Sequence, residues 1–165
     1  MPIVSRPALA ASVTAVALAV AAAGPASAAP LLEVLRADGA SEDFDRARLE
    51  DLPSVEFTTS SLWTDGPVTF SGPPLSAVLG AAGIAEGTVE LVAENAYSVD
   101  LDLGAEVVTE TYPIIATRRD GEPFEIRDNG PLWVMFPFDD TPELRAGNVY
   151  DLSIWQLVEI RQIGP

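Results

Sequence analysis

Short apolar runs separated by Gly, Pro, Asp and Asn make up most of the chain after residue 30. Runs of this length, bounded by turn-forming residues, are typical of β-strands. The pattern predicts eight strands, over residues 31–35, 55–59, 68–70, 89–93, 97–101, 113–117, 132–136 and 157–163. We therefore expect a fold in which strands contribute more residues than helices.

Two segments have helical signals instead. Asp45 is a good N-cap for a short helix over residues 46–52, which Pro53 would end. Proline opens a second helix over residues 74–82 and Gly83 ends it, with Leu75, Val78 and Leu79 on one side. Together with the strands, these helices predict an α+β domain of mixed β-sheets with few short helices.

Two further local signals predict turns. Asp120 and Gly121 form a dipeptide that favours a hairpin turn. Residues 141–144 carry Thr-Pro-Glu-Leu, which predicts a brief helical turn. No repeat and no low-complexity linker interrupts the pattern, so we expect a single domain over residues 30–165.

The first 29 residues have the composition of a signal peptide. Arg6 precedes an apolar run over residues 8–23, and Ala26-Ser27-Ala28 is the small-x-small pattern that signal peptidase cleaves. The run is shorter than the about 20 apolar residues that cross a bilayer. No Arg-Arg pair precedes the run, which indicates a Sec-type rather than a twin-arginine signal. We expect a periplasmic or secreted protein that is not embedded in a membrane after cleavage.

The composition excludes several chemistries. The chain has no cysteine, no histidine and no lysine, which removes Ser-His-Asp and Cys-His catalysis and the usual zinc ligands. After residue 30 the chain has eight arginines and 25 Asp and Glu residues, which gives a formal charge of −17. This charge disfavours nucleic acid as a partner. The acidic pairs at 100/102 and 139/140 lack a calcium-binding loop pattern, and no spacing selects a carboxylate pair for hydrolysis.

Five segments stand in a recognisable order: Trp63 with FSGPPLSAVL at 70–79 and Gly83, NAY at 95–97, IIATRRDGEPF at 114–124, GPLWVMFP at 130–137, and SIWQLVEI at 153–160. They resemble, in turn, W-x-G-V-x-L-x-x-L-L-x-x-A-G, D-G-Y, L-L-A-x-x-x-(D/N)-G-x-P-L, G-x-P-L-R-L-V-x-P and S-x-K-W-L-x-x-I of the sulfite-oxidase-like molybdopterin-binding domains. The resemblance covers residues 50–163, and the chain looks like the small, exported, stand-alone members of that superfamily.

The resemblance implies a fold that holds a molybdenum-pterin cofactor, with one cysteine on the metal and basic residues on the pterin phosphate. The position of that cysteine corresponds to Thr59, and a neutral hydroxyl cannot replace a thiolate. The two basic positions correspond to Trp133 and Trp155. Each lost cation removes a charge-assisted contact worth about 1.5–3 kcal/mol. We therefore expect no cofactor in this chain.

The candidate pocket residues carried over by the resemblance have structural as well as functional interpretations; they are Thr59, Ser60, Trp63, Asn95, Tyr97, Arg118, Trp133 and Trp155. The tryptophans are either core residues or the sides of an aromatic cleft for a flat or uncharged small molecule. The hydroxyl residues either form turns or donate hydrogen bonds at that cleft. Arg118 either holds an anion or balances surface acids, and residues 95–97 form a structural turn or part of the pocket.

Three hypotheses of function follow. The leading one is an exported, non-catalytic module that binds a small molecule or a partner protein. The second is a periplasmic molybdopterin-dependent oxidoreductase in which Thr59 or water replaces the cysteine on molybdenum. The third is a structural adaptor of a membrane-bound sensory or redox complex.

Overall fold

The computed structural model describes residues 29–164, which contain eleven strands, three short α-helices and two 3₁₀ turns. In chain order the strands and α-helices are β1 (Leu32–Leu35), β2 (Ser41–Phe44), α1 (Arg46–Glu50), β3 (Val55–Thr59), β4 (Val68–Gly72), α2 (Leu75–Ala81), β5 (Thr88–Ala93), β6 (Ser98–Asp102), β7 (Ile114–Ala116), β8 (Arg118–Arg119), β9 (Glu122–Pro123), β10 (Trp133–Met135), α3 (Gly147–Asp151) and β11 (Leu157–Gly164). The 3₁₀ turns are Ile126–Asp128 and Pro142–Arg145.

The strands form three sheets. Five strands pair in the order β2-β1-β11-β5-β6, four pair in the order β3-β4-β8-β9, and β10 pairs with β7. β1 and β11 are parallel, whereas the other pairs are antiparallel, so the first sheet is mixed. With helices of only five to seven residues, the architecture confirms the α+β class and the expectation of few short helices.

Several of these elements lie where local features of the sequence predict them. β3 has the predicted bounds, and Asp45 caps α1 by accepting a hydrogen bond from the Arg48 backbone N at 2.8 Å. Asp120 and Gly121 join β8 to β9 and both have positive φ, of 50° and 83°. This is the backbone of a type I′ hairpin turn, which confirms the prediction.

One sheet-to-sheet approach depends on a glycine. β4 ends at Gly72 beside β7, and a Cβ atom built there would overlap the carbonyl oxygen of Ile115. The backbone of β7 therefore occupies the space that a side chain at residue 72 would need. The buried core contains side chains of all three sheets and of α2, and Phe44, Phe70, Leu79 and Trp133 are among its members.

None of the helices in residues 29–164 is long and apolar enough to span a bilayer. The predicted signal peptide lies outside the described residues, apart from its last residue, Ala29. The predicted single domain begins at residue 30, and its described part runs from there to residue 164.

Candidate ligand-binding cleft

A cleft of about 210 Å³ opens where three parts of the chain meet: the loop after β3, the turn between β5 and β6, and the segment from α3 to the start of β11. We call it the aromatic cleft, and its lining residues are Trp63, Ala93, Asn95, Tyr97, Tyr150, Asp151, Ser153, Ile154 and Trp155. Four candidates from the sequence, Trp63, Asn95, Tyr97 and Trp155, are thereby brought together.

Three of the rings in the cleft lie edge to face. The Trp63 and Trp155 ring centroids are 5.5 Å apart with planes at 66°, and those of Trp63 and Tyr150 are 5.8 Å apart at 79°. Both pairs have the T-shaped geometry that aromatic quadrupoles favour. The Tyr150 ring also stacks on the ring of the buried Phe138, with centroids 4.4 Å apart, and this contact holds Tyr150 in place. The aromatic sides of the cleft are consequently held by packing.

Trp133 lies beneath this cleft in the core and does not line it. Its indole Nε1 donates to the Ser153 hydroxyl at 3.1 Å, and that hydroxyl donates to the Val134 carbonyl at 2.8 Å. The Trp133 ring packs against Trp63 and Trp155, with centroids 6.2 and 6.1 Å away. Trp133 therefore supports two cleft residues from below, whereas Trp155 faces the cleft itself.

Asn95 and Tyr97 belong to the tight turn between β5 and β6. The Asn95 side-chain oxygen accepts a hydrogen bond from the Tyr97 backbone N at 3.0 Å. Ala96 between them has φ 64°, in the left-handed region that a non-glycine residue seldom adopts. The turn leaves Tyr97 half exposed where it lines the cleft.

Thr59 and Ser60 are not among the residues that line the cleft. The Thr59 side chain is buried, and its hydroxyl accepts from the Asp139 backbone N at 3.1 Å and donates to the Ser60 carbonyl at 3.2 Å. The Ser60 backbone N donates to the Asp139 carboxylate at 2.7 Å. This hydrogen bond, with help from Arg145, lowers the pKa of the Asp139 carboxyl. These groups fasten the end of β3 to the segment after β10.

Arg118 also lies away from the cleft. Its guanidinium pairs with the Glu50 carboxylate at 2.9 Å and donates to the Gly121 carbonyl at 3.1 Å. Arg118 thus links β8 to α1 and to the β8–β9 turn. This arrangement is the surface ion pair that was one of its two interpretations from the sequence.

Tyr150, Asp151, Ser153 and Ile154 line the cleft but are not among the candidates that the sequence offered. Tyr150 and Asp151 end α3, a helix of five residues whose sequence, GNVYD, has too little apolar periodicity to be noticed. Their place beside Trp155 depends on how α3 folds back onto β11. The sequence does contain one signal for this side of the cleft. Tyr150 and Trp155 are aromatic residues close together in the sequence, and Trp155 belongs to the segment SIWQLVEI at 153–160.

The side chains present do not fit a molybdenum-pterin group. The chain has no cysteine or histidine to ligate the metal, and the hydroxyl of Thr59 is already engaged in two hydrogen bonds. Within residues 29–164, no group of three or more His, Cys, Asp or Glu side chains is placed to hold a metal ion. Of the residues that the structure describes, the one charged residue that lines the cleft is the acidic Asp151, which would repel a phosphate.

We compared the chain with protein-family models and with curated proteins, and neither comparison finds a match.

Proposed function

We propose that this chain is an exported, non-catalytic module that binds a small organic molecule in the aromatic cleft. We further propose that it is built on the sulfite-oxidase-like molybdopterin-binding fold. The observation that carries the proposal is a cleft with aromatic sides, one of which is Trp155, a position where the resembling family has a basic residue. Export would place the module in the periplasm or outside the cell, where a membrane-bound sensory or redox partner would respond to the occupied state.

Two features of the chain support the fold assignment. The aromatic cleft is formed by residues from three of the segments that resemble the family: the one that begins with Trp63, residues 95–97 and residues 153–160. A motif glycine also stands where the backbone needs it, since a Cβ atom on Gly72 would overlap a neighbouring carbonyl oxygen. Residue 96, where the family has glycine, has positive φ. A resemblance that matches backbone requirements is stronger than one that matches letters alone.

The cleft has little that could act as a catalyst. The Ser153 hydroxyl accepts from Trp133 and donates to Val134, so it has no neighbouring base that would activate it. The Asn95 side-chain oxygen is engaged within its own turn. What remains is Asp151 among apolar and aromatic faces, an arrangement suited to holding a molecule in place. The engagement of the Thr59 hydroxyl also argues against the form of the rival oxidoreductase in which that hydroxyl ligates molybdenum.

The size of the cleft limits its occupant. Its volume of about 210 Å³ is below the roughly 300–1,000 Å³ of pockets that bury drug-sized ligands. We therefore propose that the occupant is a small molecule, or the end of a larger one, that enters between Tyr97 and Trp155.

Ligand-observed NMR with a library of small organic fragments tests this proposal. Two variants report the location of binding: Tyr97→Ala changes a residue that lines the cleft, and Ile126→Ala is a matched control that does not line it. The two side chains are 50% and 65% exposed, so neither change should disturb the core. Fragments that bind the unaltered protein and the control, but not Tyr97→Ala, would support the cleft. If no fragment distinguishes the two variants, the cleft is not the binding site.

A further inference from the structure

The aromatic cleft combines electron-rich ring faces with one carboxylate. The Trp63 ring meets the rings of Trp155 and Tyr150 at 66° and 79°, so ring faces and edges bound the space on different sides. Asp151 follows Tyr150 directly in α3, lines the same cleft and is exposed. The sequence suggested an aromatic cleft for a flat or uncharged small molecule, and the acid beside the rings was not part of that expectation.

The one charge shown on the cleft, that of Asp151, favours a cation. Within residues 29–164 no arginine lines the cleft, and the sequence has no lysine. Asp151 takes part in none of the ion pairs among residues 29–164. The chain as a whole has a formal charge of −16, which adds a negative field at the cleft. A ligand with a positive group would be drawn to this site, and an anion would be repelled.

The chemistry of the rings narrows the kind of cation. A primary ammonium carries three N–H donors that need acceptors, and the cleft offers mainly aromatic faces and Asp151. A quaternary ammonium has no N–H donor, spreads its charge over methyl groups and is attracted by the faces of Trp and Tyr. Such a group loses little by leaving water for an aromatic site.

We propose that the aromatic cleft recognises a methylated quaternary ammonium group, with Asp151 contributing long-range attraction. This inference rests on the proposed function, because it names the ligand class of the same cleft. Two sources carry such a group: a free small molecule such as choline, and the side chain of trimethyllysine in a protein. Their shared trimethylammonium group is what Trp63, Trp155, Tyr150 and Tyr97 would contact.

Isothermal titration calorimetry of the purified protein tests whether binding depends on the charge of the ligand or only on its shape. The probes are tetramethylammonium, choline and 3,3-dimethylbutan-1-ol, an uncharged molecule with the shape of choline. We expect the two cations to bind at least about tenfold more tightly than the alcohol, the ratio that contact with partly desolvated rings provides. Peptides with trimethyllysine or with unmodified lysine, titrated in parallel, distinguish a protein source from a free one.

Two pairs of variants test whether the Tyr97 ring and the Asp151 carboxylate contribute to binding. Tyr97→Leu should weaken choline binding about three- to tenfold, whereas Tyr97→Phe, which retains the ring, should leave it within about twofold. Asp151→Asn should weaken binding about threefold at low salt and less at high salt. Asp140→Asn, an exposed acid that does not line the cleft, is the matched control and should have no effect.

The outcomes distinguish the two proposals. Equal or tighter binding of 3,3-dimethylbutan-1-ol would overturn the cationic ligand class and leave the small-molecule function standing. Failure of every probe and every library fragment to bind would overturn both. Tighter binding of the trimethyllysine peptide than of choline would support a modified protein as the source, and the reverse order would support a free small molecule.

Discussion

Replacing Trp133 by phenylalanine separates a core role of this residue from a role in the cleft. Trp133 is fully buried, and its indole Nε1 donates to the Ser153 hydroxyl at 3.1 Å. Its ring also meets Phe70 edge to face, with centroids 5.6 Å apart. Phenylalanine retains a ring but removes the donor and leaves space where the second ring of the indole lay. We expect a less stable protein with an unchanged cleft.

The expected loss combines two contributions. A lost internal hydrogen bond costs about 1 kcal/mol, and the apolar volume left empty costs about 1–2 kcal/mol more. The sum, about 2–3 kcal/mol, would be measured by chemical denaturation followed by far-UV circular dichroism, because the substitution itself alters tryptophan fluorescence. A double-mutant cycle of Trp133→Phe with Ser153→Ala isolates the hydrogen bond, with an expected coupling of about 0.5–1.5 kcal/mol.

A loss of less than about 0.5 kcal/mol, the usual range for surface substitutions, would refute the burial of Trp133. A coupling energy of zero in the cycle would refute the bond between Nε1 and the Ser153 hydroxyl. A large loss of ligand affinity with unchanged stability would place Trp133 in the cleft instead of beneath it.

Three further predictions concern the backbone and the pH dependence of stability. Gly72→Ala should cost more than about 3 kcal/mol in unfolding free energy because the new methyl group would overlap a backbone carbonyl, whereas Gly80→Ala, at an open position of α2, should stabilise by about 0.5–1 kcal/mol. Ala96→Gly should raise stability by roughly 0.5 kcal/mol in the same assay, since it relieves a positive φ. The hydrogen bond from Ser60 lowers the pKa of the Asp139 carboxyl, so its stabilising effect is complete above about pH 4 and is lost as pH falls through the lower folded-state pKa. Asp139→Asn should therefore reduce the acid dependence of the unfolding midpoint.

Each of these predictions has a contrary result. Equal stability of the Gly72→Ala and Gly80→Ala variants would contradict the close approach of β4 to β7. A destabilised Ala96→Gly variant would show that residue 96 has an ordinary backbone conformation. An acid dependence identical in the Asp139→Asn variant would place the acid-sensitive contact elsewhere.

Most of the secondary structure could be predicted because local rules determine it. The Asp45 cap, the apolar run of β3 and the Asp120-Gly121 turn each depend on a few adjacent residues. β2 was missed because its sequence, SEDF, offers only Phe44 to the core and has no run of apolar residues. It is a strand because β1 pairs with it, a tertiary cause that the sequence pattern does not contain.

The site was harder to predict than the fold. The resemblance selected Trp63, Tyr97 and Trp155, which the structure brings into one cleft. It also selected Thr59 and Arg118, which lie elsewhere because their polar groups bind neighbouring segments of the chain. A sequence motif gives the positions of residues along the chain. It does not give the groups that each side chain contacts, because these depend on the packing of the folded protein.

Elemental and pterin analysis, with native mass spectrometry, of the protein isolated from the periplasm or medium of its own host tests the central claim most directly. The account predicts neither molybdenum nor pterin in stoichiometric amounts. It also predicts that the native mass exceeds the chain mass by that of a small cation, or matches the chain and shifts when choline is added. Stoichiometric molybdenum and pterin would contradict the account and identify an oxidoreductase.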